Sequence, residues 1–139
     1  MKRVMVFGAF DGLHPGHLDF FRQAKKYGDY LIVSVARDVN VKKIKGKLPL
    51  FAQEERFELV RQCRIVDRAV MGAADDFFVH IKAEKPDVIC LGYDQWAKEE
   101  DVLADLRRVG LLKTAVVRLA PYKPGSAKST RMKNRSVGI

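Results

Sequence analysis

Arg3-Val4-Met5-Val6-Phe7-Gly8-Ala9-Phe10-Asp11-Gly12-Leu13-His14-Pro15-Gly16-His17 is the stretch that decides the fold. The apolar run Arg3–Phe7 reads as a short strand that stops at Gly8. Glycine and proline crowd the following turn. From His17 to Tyr27, apolar residues then fall at helical spacing: Leu18, Phe21 and Ala24, with Phe20 beside them. Gly28 ends that helix. A strand, a glycine-rich turn and a helix form the repeating unit of α/β proteins.

The same alternation continues outward from this unit. Tyr30–Ala36 (YLIVSVA) is an apolar, β-branched second strand, and Ala52–Cys63 is a helix carrying Phe57, Leu59 and Val60 between charges. Arg68–Met71 is a brief strand before Gly72, and Asp76–Glu84 is a helix closed by Pro86. Asp87–Leu91 is a fourth strand ending at Gly92. Glu99–Val109 is a helix with Val102, Leu103 and Leu106 inward and Gly110 as its stop. Thr114–Leu119 is a fifth strand. Continuous apolar strands between amphipathic helices imply a parallel sheet covered on both faces. The expectation is an α/β fold: one domain over 1–139, with a Rossmann-like open parallel sheet of about five strands and helices on both faces. Ligands then sit beyond the C-terminal strand ends. The loops expected there, Gly8–His17, Arg37–Leu50 and Gly92–Lys98, hold nearly every unusual residue of the chain.

Composition sets the class of partner. At 139 residues and 47% hydrophobic the chain can bury one core. No run of about 18 apolar residues is present, so no membrane span is expected. Val4–Phe7 is too short for a signal-peptide core, and a cytoplasmic protein is the expectation. A net charge of +9 favours anionic partners, which nucleic acid and nucleotide phosphate both satisfy. Cys63 and Cys90 lie in apolar surroundings and read as small buried core residues rather than a disulfide or metal pair.

His14 and His17 stand three apart around Pro15-Gly16, where the first helix starts. A helix start offers free N–H groups and a positive dipole end, which suits phosphate. Imidazole N–H groups can donate to phosphate oxygens and stabilise charge building up at phosphorus. Two of the three histidines share this one loop, which favours a functional pair over two turn caps. His80, on a helix, reads as structural. Small residues such as Gly8 and Gly16 let backbone approach a ligand. Lys42, Lys43, Lys45 and Lys47 follow the second strand, where they either form a solvated turn or neutralise anionic substrate. Arg56 reads as an anion ligand or a helix-surface residue. In Gly92-Tyr93-Asp94-Gln95, a turn glycine followed by a carboxylate and an amide suits a nucleoside's polar edge. Trp96 stacks on a ring or packs in the core. Ser129-Thr130 read as hydroxyls at a helix start, which can bind phosphate.

The run from Gly8 to His17 resembles the signature of the HxGH nucleotidyltransferase superfamily, which includes cytidylyltransferases, adenylyltransferases and relatives of class I aminoacyl-tRNA synthetases. Val35-Ala36-Arg37-Asp38, Val41 to Pro49, Glu55-Arg56 and Leu91 to Gln95 are similar to the archaeal-type FAD synthase (FMN adenylyltransferase) group, with glycerol-3-phosphate cytidylyltransferase as neighbour. The resemblance implies a divalent ion, usually magnesium, and in-line attack of an acceptor phosphate on the α-phosphorus. Pyrophosphate leaves, and no covalent enzyme intermediate forms. It also implies that His14 and His17 contact the triphosphate, that Gly8, Ala9, Phe10, Asp11 and Gly16 belong to the same nucleotide-binding loop, and that Lys45 and Lys47 are the loop lysines, matched by their distance to Glu55-Arg56. In the tail, Tyr122-Lys123-Pro124-Gly125 replaces the arginine–threonine pair of the cytidylyltransferases, which turns the expectation from CTP with glycerol 3-phosphate to ATP with FMN. The C-terminal cysteines of archaeal FAD synthases are missing as well. A homodimer is the expected assembly. A nucleic-acid-binding module fits the charge, but Tyr122 is the one aromatic beside the basic tail. The intact histidine pair argues against a non-catalytic nucleotide sensor.

Overall fold

The structure, a computed structural model, describes residues 1–74, 76–95 and 97–122. Five apolar runs pair as parallel strands: β1 (Arg3–Gly8), β2 (Tyr30–Val35), β3 (Arg68–Met71), β4 (Val88–Leu91) and β5 (Ala115–Arg118). Their order in the sheet is β3-β2-β1-β4-β5. The chain steps outward from β1 to β3, then returns to the far side of β1. The order therefore reverses between β1 and β4, and the crevice for a ligand opens above their C-terminal ends, Gly8 and Leu91.

The helices are α1 (Pro15–Lys25), α2 (Asp38–Lys45), α3 (Gln53–Arg61), α4 (Phe77–Glu84) and α5 (Glu99–Arg108). Alternation along each strand sends successive side chains to opposite faces. Val4, Val6, Leu31, Val33 and Val35 meet Phe21 and Ala24 of α1 and Val60 of α3. Met5, Ile32 and Ile89 meet Ile81 of α4 and Val102 and Leu106 of α5. Right-handed crossovers that reverse direction at β1 place helices on opposite faces in this way. Burying each such side chain contributes about 1.5–3 kcal/mol. Cys90 lies fully within this core, where burial pushes its thiol pKa up to about 12. Cys63 is only half-buried, a departure from the expected core position, and donates to the Leu59 carbonyl one turn back.

Two elements differ from the sequence expectation. The first helix begins at Pro15, two residues before His17. Proline at the first helical position is pre-set for helical φ and lacks an N–H that would go unpaired there anyway. The segment 37–50, expected as a loop, contains α2. Val39, Asn40 and Val41 are weak helix formers. The helix is held instead by distant partners: Arg37 Nε donates to the Gly72 carbonyl, Asn40 Nδ2 to that of Ala73, and the Asp38 N–H to Gln53 Oε1. Gly46 ends it at φ 81°, a left-handed conformation that glycine adopts without strain, and donates its N–H to the Lys42 carbonyl.

Candidate active site

The early start of α1 changes what the two histidines are. His14 is the N-cap, and its Nδ1 accepts the Gly16 N–H at 3.1 Å. His17 sits in the first turn, and its Nδ1 accepts the His14 N–H at 3.3 Å. The rings lie 4.0 Å apart between centroids, tilted by 30°. An imidazole that accepts at Nδ1 carries its proton on Nε2. Both rings are thereby fixed in the Nε2–H form, with that donor left for a ligand. Burial lowers the His17 pKa to about 4, with the His14 ring and then the Lys45 charge adding to the effect; burial also lowers that of His14. At neutral pH the pair is uncharged, and the positive end of the α1 dipole lies beside it.

The glycines make room for side chains of the site. A Cβ on Gly16 would stand 2.8 Å from the His14 ring, and one on Gly8 2.7 Å from the Phe10 ring. The role expected for Gly8 and Gly16, ligand approach, is thus joined by an internal one. Phe10, expected in the nucleotide-binding loop, has a buried ring: at φ 52° it turns it into the core beside Phe21 and edge-on to His17, at a centroid distance of 5.5 Å. Asp11 is engaged at both oxygens, which accept the N–H groups of Leu50 at 2.7 Å and Phe51 at 2.9 Å. It clamps this loop to the segment leading into α3.

Arg56 departs from both readings of the sequence. It is neither on the helix surface nor open to an anion. Its side chain is fully buried, donating to the carbonyls of Phe51 at 2.9 Å and Ala9 at 2.7 Å and to Asp38 at 2.8 Å. A charge can be buried at this cost only when its donors are matched. Arg56 therefore ties the Ala9 turn, α2 and α3 into one frame. Of the lysines, Lys45 closes α2 close enough for its charge to act on His17, whereas Lys47 follows Gly46 in an exposed stretch.

The third loop stands on the other side of the crevice. Gly92 donates its N–H to Gln95 Oε1 at 2.6 Å, and Gln95 Nε2 donates to the Phe7 carbonyl at 3.1 Å. The Gln95 amide, expected on a nucleoside edge, braces the loop. Asp94 stays exposed, and a Cβ on Gly92 would touch Phe20 of α1 at 3.5 Å. Sequence reading missed Arg118, whose guanidinium gathers this loop. A charged residue closing an apolar strand was its only signal. His80 Nε2 lies 3.1 Å from Ser34 Oγ, a contact between α4 and β2. Ser129, Thr130 and Trp96 lie outside the described residues. No helix among the described residues is long and apolar enough to cross a membrane.

Uncharged, pre-aligned N–H donors at a helix start, above the point where strand order reverses, suit phosphate that changes charge during reaction. The chain belongs to the cytidylyltransferase-like family, which matches residues 5–135, and it is an enzyme of the nucleotidyltransferase class. It is 44% identical over 131 residues to a FAD synthase of Aciduliprofundum boonei, covering 94% of this chain and 87% of that one. It is 48% identical over 119 residues to a FAD synthase of Ferroglobus placidus, covering 86% and 76%. These likenesses set it within the FAD synthase group of the family. A solved structure from Thermoplasma volcanium, described as a lipopolysaccharide core biosynthesis protein, superposes with a TM-score of 0.83 at 38% identity, over 88% of this chain and 99% of that one.

Proposed function

We propose that the protein is an FMN adenylyltransferase, passing the adenylyl group of ATP to the phosphate of FMN to give FAD and pyrophosphate. The observation that carries this reading is the pair of neutral imidazoles locked as Nε2–H donors at the start of α1, in a chain whose relatives are FAD synthases. An FMN phosphate oxygen attacks the α-phosphorus. A new P–O bond forms, the bond to the β-phosphate oxygen breaks, and pyrophosphate departs with that electron pair. The attacking phosphate is already ionised at neutral pH, so no general base is required. His14 and His17 donate to triphosphate oxygens, and Lys45 offsets charge on the leaving pyrophosphate.

We infer that a magnesium ion would reach this site on the triphosphate. Among the described residues no group of three or more His, Cys, Asp or Glu side chains is poised to hold a metal. Asp11 is already engaged with two N–H groups. Magnesium commonly rides on substrate phosphates with few protein ligands and several waters. Bound so, it would supply charge neutralisation to the triphosphate.

We further infer a homodimer. Leu48, Leu50 and Leu59 are exposed by 60%, 67% and 46%, and Leu59 lines a hollow with Phe51, Glu54, Glu55 and Glu58. Sedimentation equilibrium tests the assembly. A cytoplasmic setting goes with the reaction, because that is where ATP and FMN are drawn from.

The test of the activity is pyrophosphate release with ATP or CTP, each paired with FMN or glycerol 3-phosphate. Release should require ATP and FMN together and yield FAD. Turnover of CTP with glycerol 3-phosphate but not of ATP with FMN would move the protein to the cytidylyltransferases.

A further inference from the structure

Arg118 ends β5, one strand away from the crevice, and lies level with Leu91 in the register of the sheet. Its Nη1 donates to the carbonyls of Gly92 at 2.9 Å and Gln95 at 2.8 Å. Its Nη2 donates to the carbonyl of Ala97 at 2.5 Å and to Glu99 Oε1 at 2.6 Å. One planar guanidinium thus takes three carbonyls of a single loop and a carboxylate in the first turn of α5. Only a fork of fixed N–H directions reaches so many acceptors at once. From the opposite side Gln95 ties the same loop to Phe7, the next-to-last residue of β1. With its carbonyls turned toward Arg118, the loop leaves Tyr93 and Asp94 exposed at its apex. At its base Gly92 lies close to Phe20, and Phe20 is 6.4 Å from Phe10, which touches His17. The loop is therefore built onto the catalytic helix.

We propose that Arg118 is the positioning residue for nucleoside recognition: it holds the Gly92–Gln95 turn in the shape that receives the base and ribose of the triphosphate, without touching the nucleotide itself. The inference rests on reading that turn as the nucleoside wall of the site proposed above. A loop held ready binds more tightly than one that must be ordered on binding. Releasing it should weaken ATP binding while leaving the phosphate chemistry, on the other wall, in place.

The test is steady-state FAD formation by Arg118→Ala and Arg118→Lys, with the fold of each checked by its thermal transition. KM for ATP should rise about tenfold or more in both, with kcat within about threefold of wild type and KM for FMN steady. Lysine should not rescue, because one ammonium cannot span three carbonyls and a carboxylate. An unchanged KM for ATP, full rescue by lysine, or a parallel loss in kcat and both KM values would each overturn the role. If neither variant folds, Glu99→Ala, which frees one arm of the guanidinium, must raise KM for ATP in the same direction, and its failure to do so counts against Arg118. Absence of FAD formation by the wild-type protein overturns the adenylyltransferase reading instead, and with it the basis of this one.

Discussion

Arg56 Nη1 donates to the carbonyl of Ala9 at 2.7 Å, joining residues 47 positions apart in the chain. Through this bond the turn after β1 is fixed from behind by α3. Arg56→Ala leaves the carbonyls of Ala9 and Phe51 without that partner, and leaves Asp38 to seek water. The expected cost is about 2–4 kcal/mol of folding stability, read from urea unfolding. A variant with an unchanged midpoint that loses only ATP affinity would show that Arg56 is an anion ligand after all.

Gly16→Ala tests the packing of the pair itself. The new Cβ would meet the His14 ring at 2.8 Å, so the imidazole must turn away from the Gly16 N–H. Turnover should fall by roughly ten- to a hundredfold, since small displacements of positioned groups are costly, while the fold persists. Wild-type turnover in this variant would mean that the His14 ring direction is immaterial.

What the sequence made legible was local. The apolar runs and the helical spacing of Leu18, Phe21 and Ala24 gave the strands and α1, and the clustering of His14 and His17 marked the crevice. What stayed hidden depends on partners far along the chain. Helix α2 forms against Gly72, Ala73 and Gln53, over weak local propensity. The burial of Arg56 requires Ala9 and Asp38 to arrive together. Phe10 looks like a loop residue until the space above Gly8 is known. The backbone bonds of Gln95 and Asp11, to residues 88 and about 40 positions away, were likewise hidden.

The histidine pair predicts a pH dependence with a definite sign. The His17 pKa is lowered to about 4 in the folded protein, against 6.5 for a free side chain. Above pH 6.5 the ring is neutral in folded and unfolded chains alike, so it contributes no pH dependence there. As the pH falls from 6.5 toward 4 the unfolded chain takes up the proton first, and stability is lost over that window. His14 shifts in the same direction. Nitrogen-15 NMR should find both rings as Nε2–H at pH 7, with His17 titrating near 4. A His17 that titrates near 6.5, or that carries its proton on Nδ1, would contradict the assignment.

Lys45 and Lys47 should separate. Lys45, the last residue of α2, carries a charge that acts on His17, whereas Lys47 stands beyond the end of α2. Lys45→Ala should raise KM for ATP or lower kcat by about ten- to a hundredfold. Lys47→Ala should have the smaller effect, and both should keep wild-type thermal stability. The reverse order of effects would assign the charge to Lys47.

The most direct measurement is the rate of FAD formation from ATP and FMN by the wild-type protein and by His17→Ala, under saturating substrates at pH 7. If the neutral Nε2–H of His17 stabilises the transferring phosphate, kcat should drop by about two to four orders of magnitude in a variant that remains folded. A folded His17→Ala protein that makes FAD at close to the wild-type rate would contradict that role and leave the histidine a helix cap.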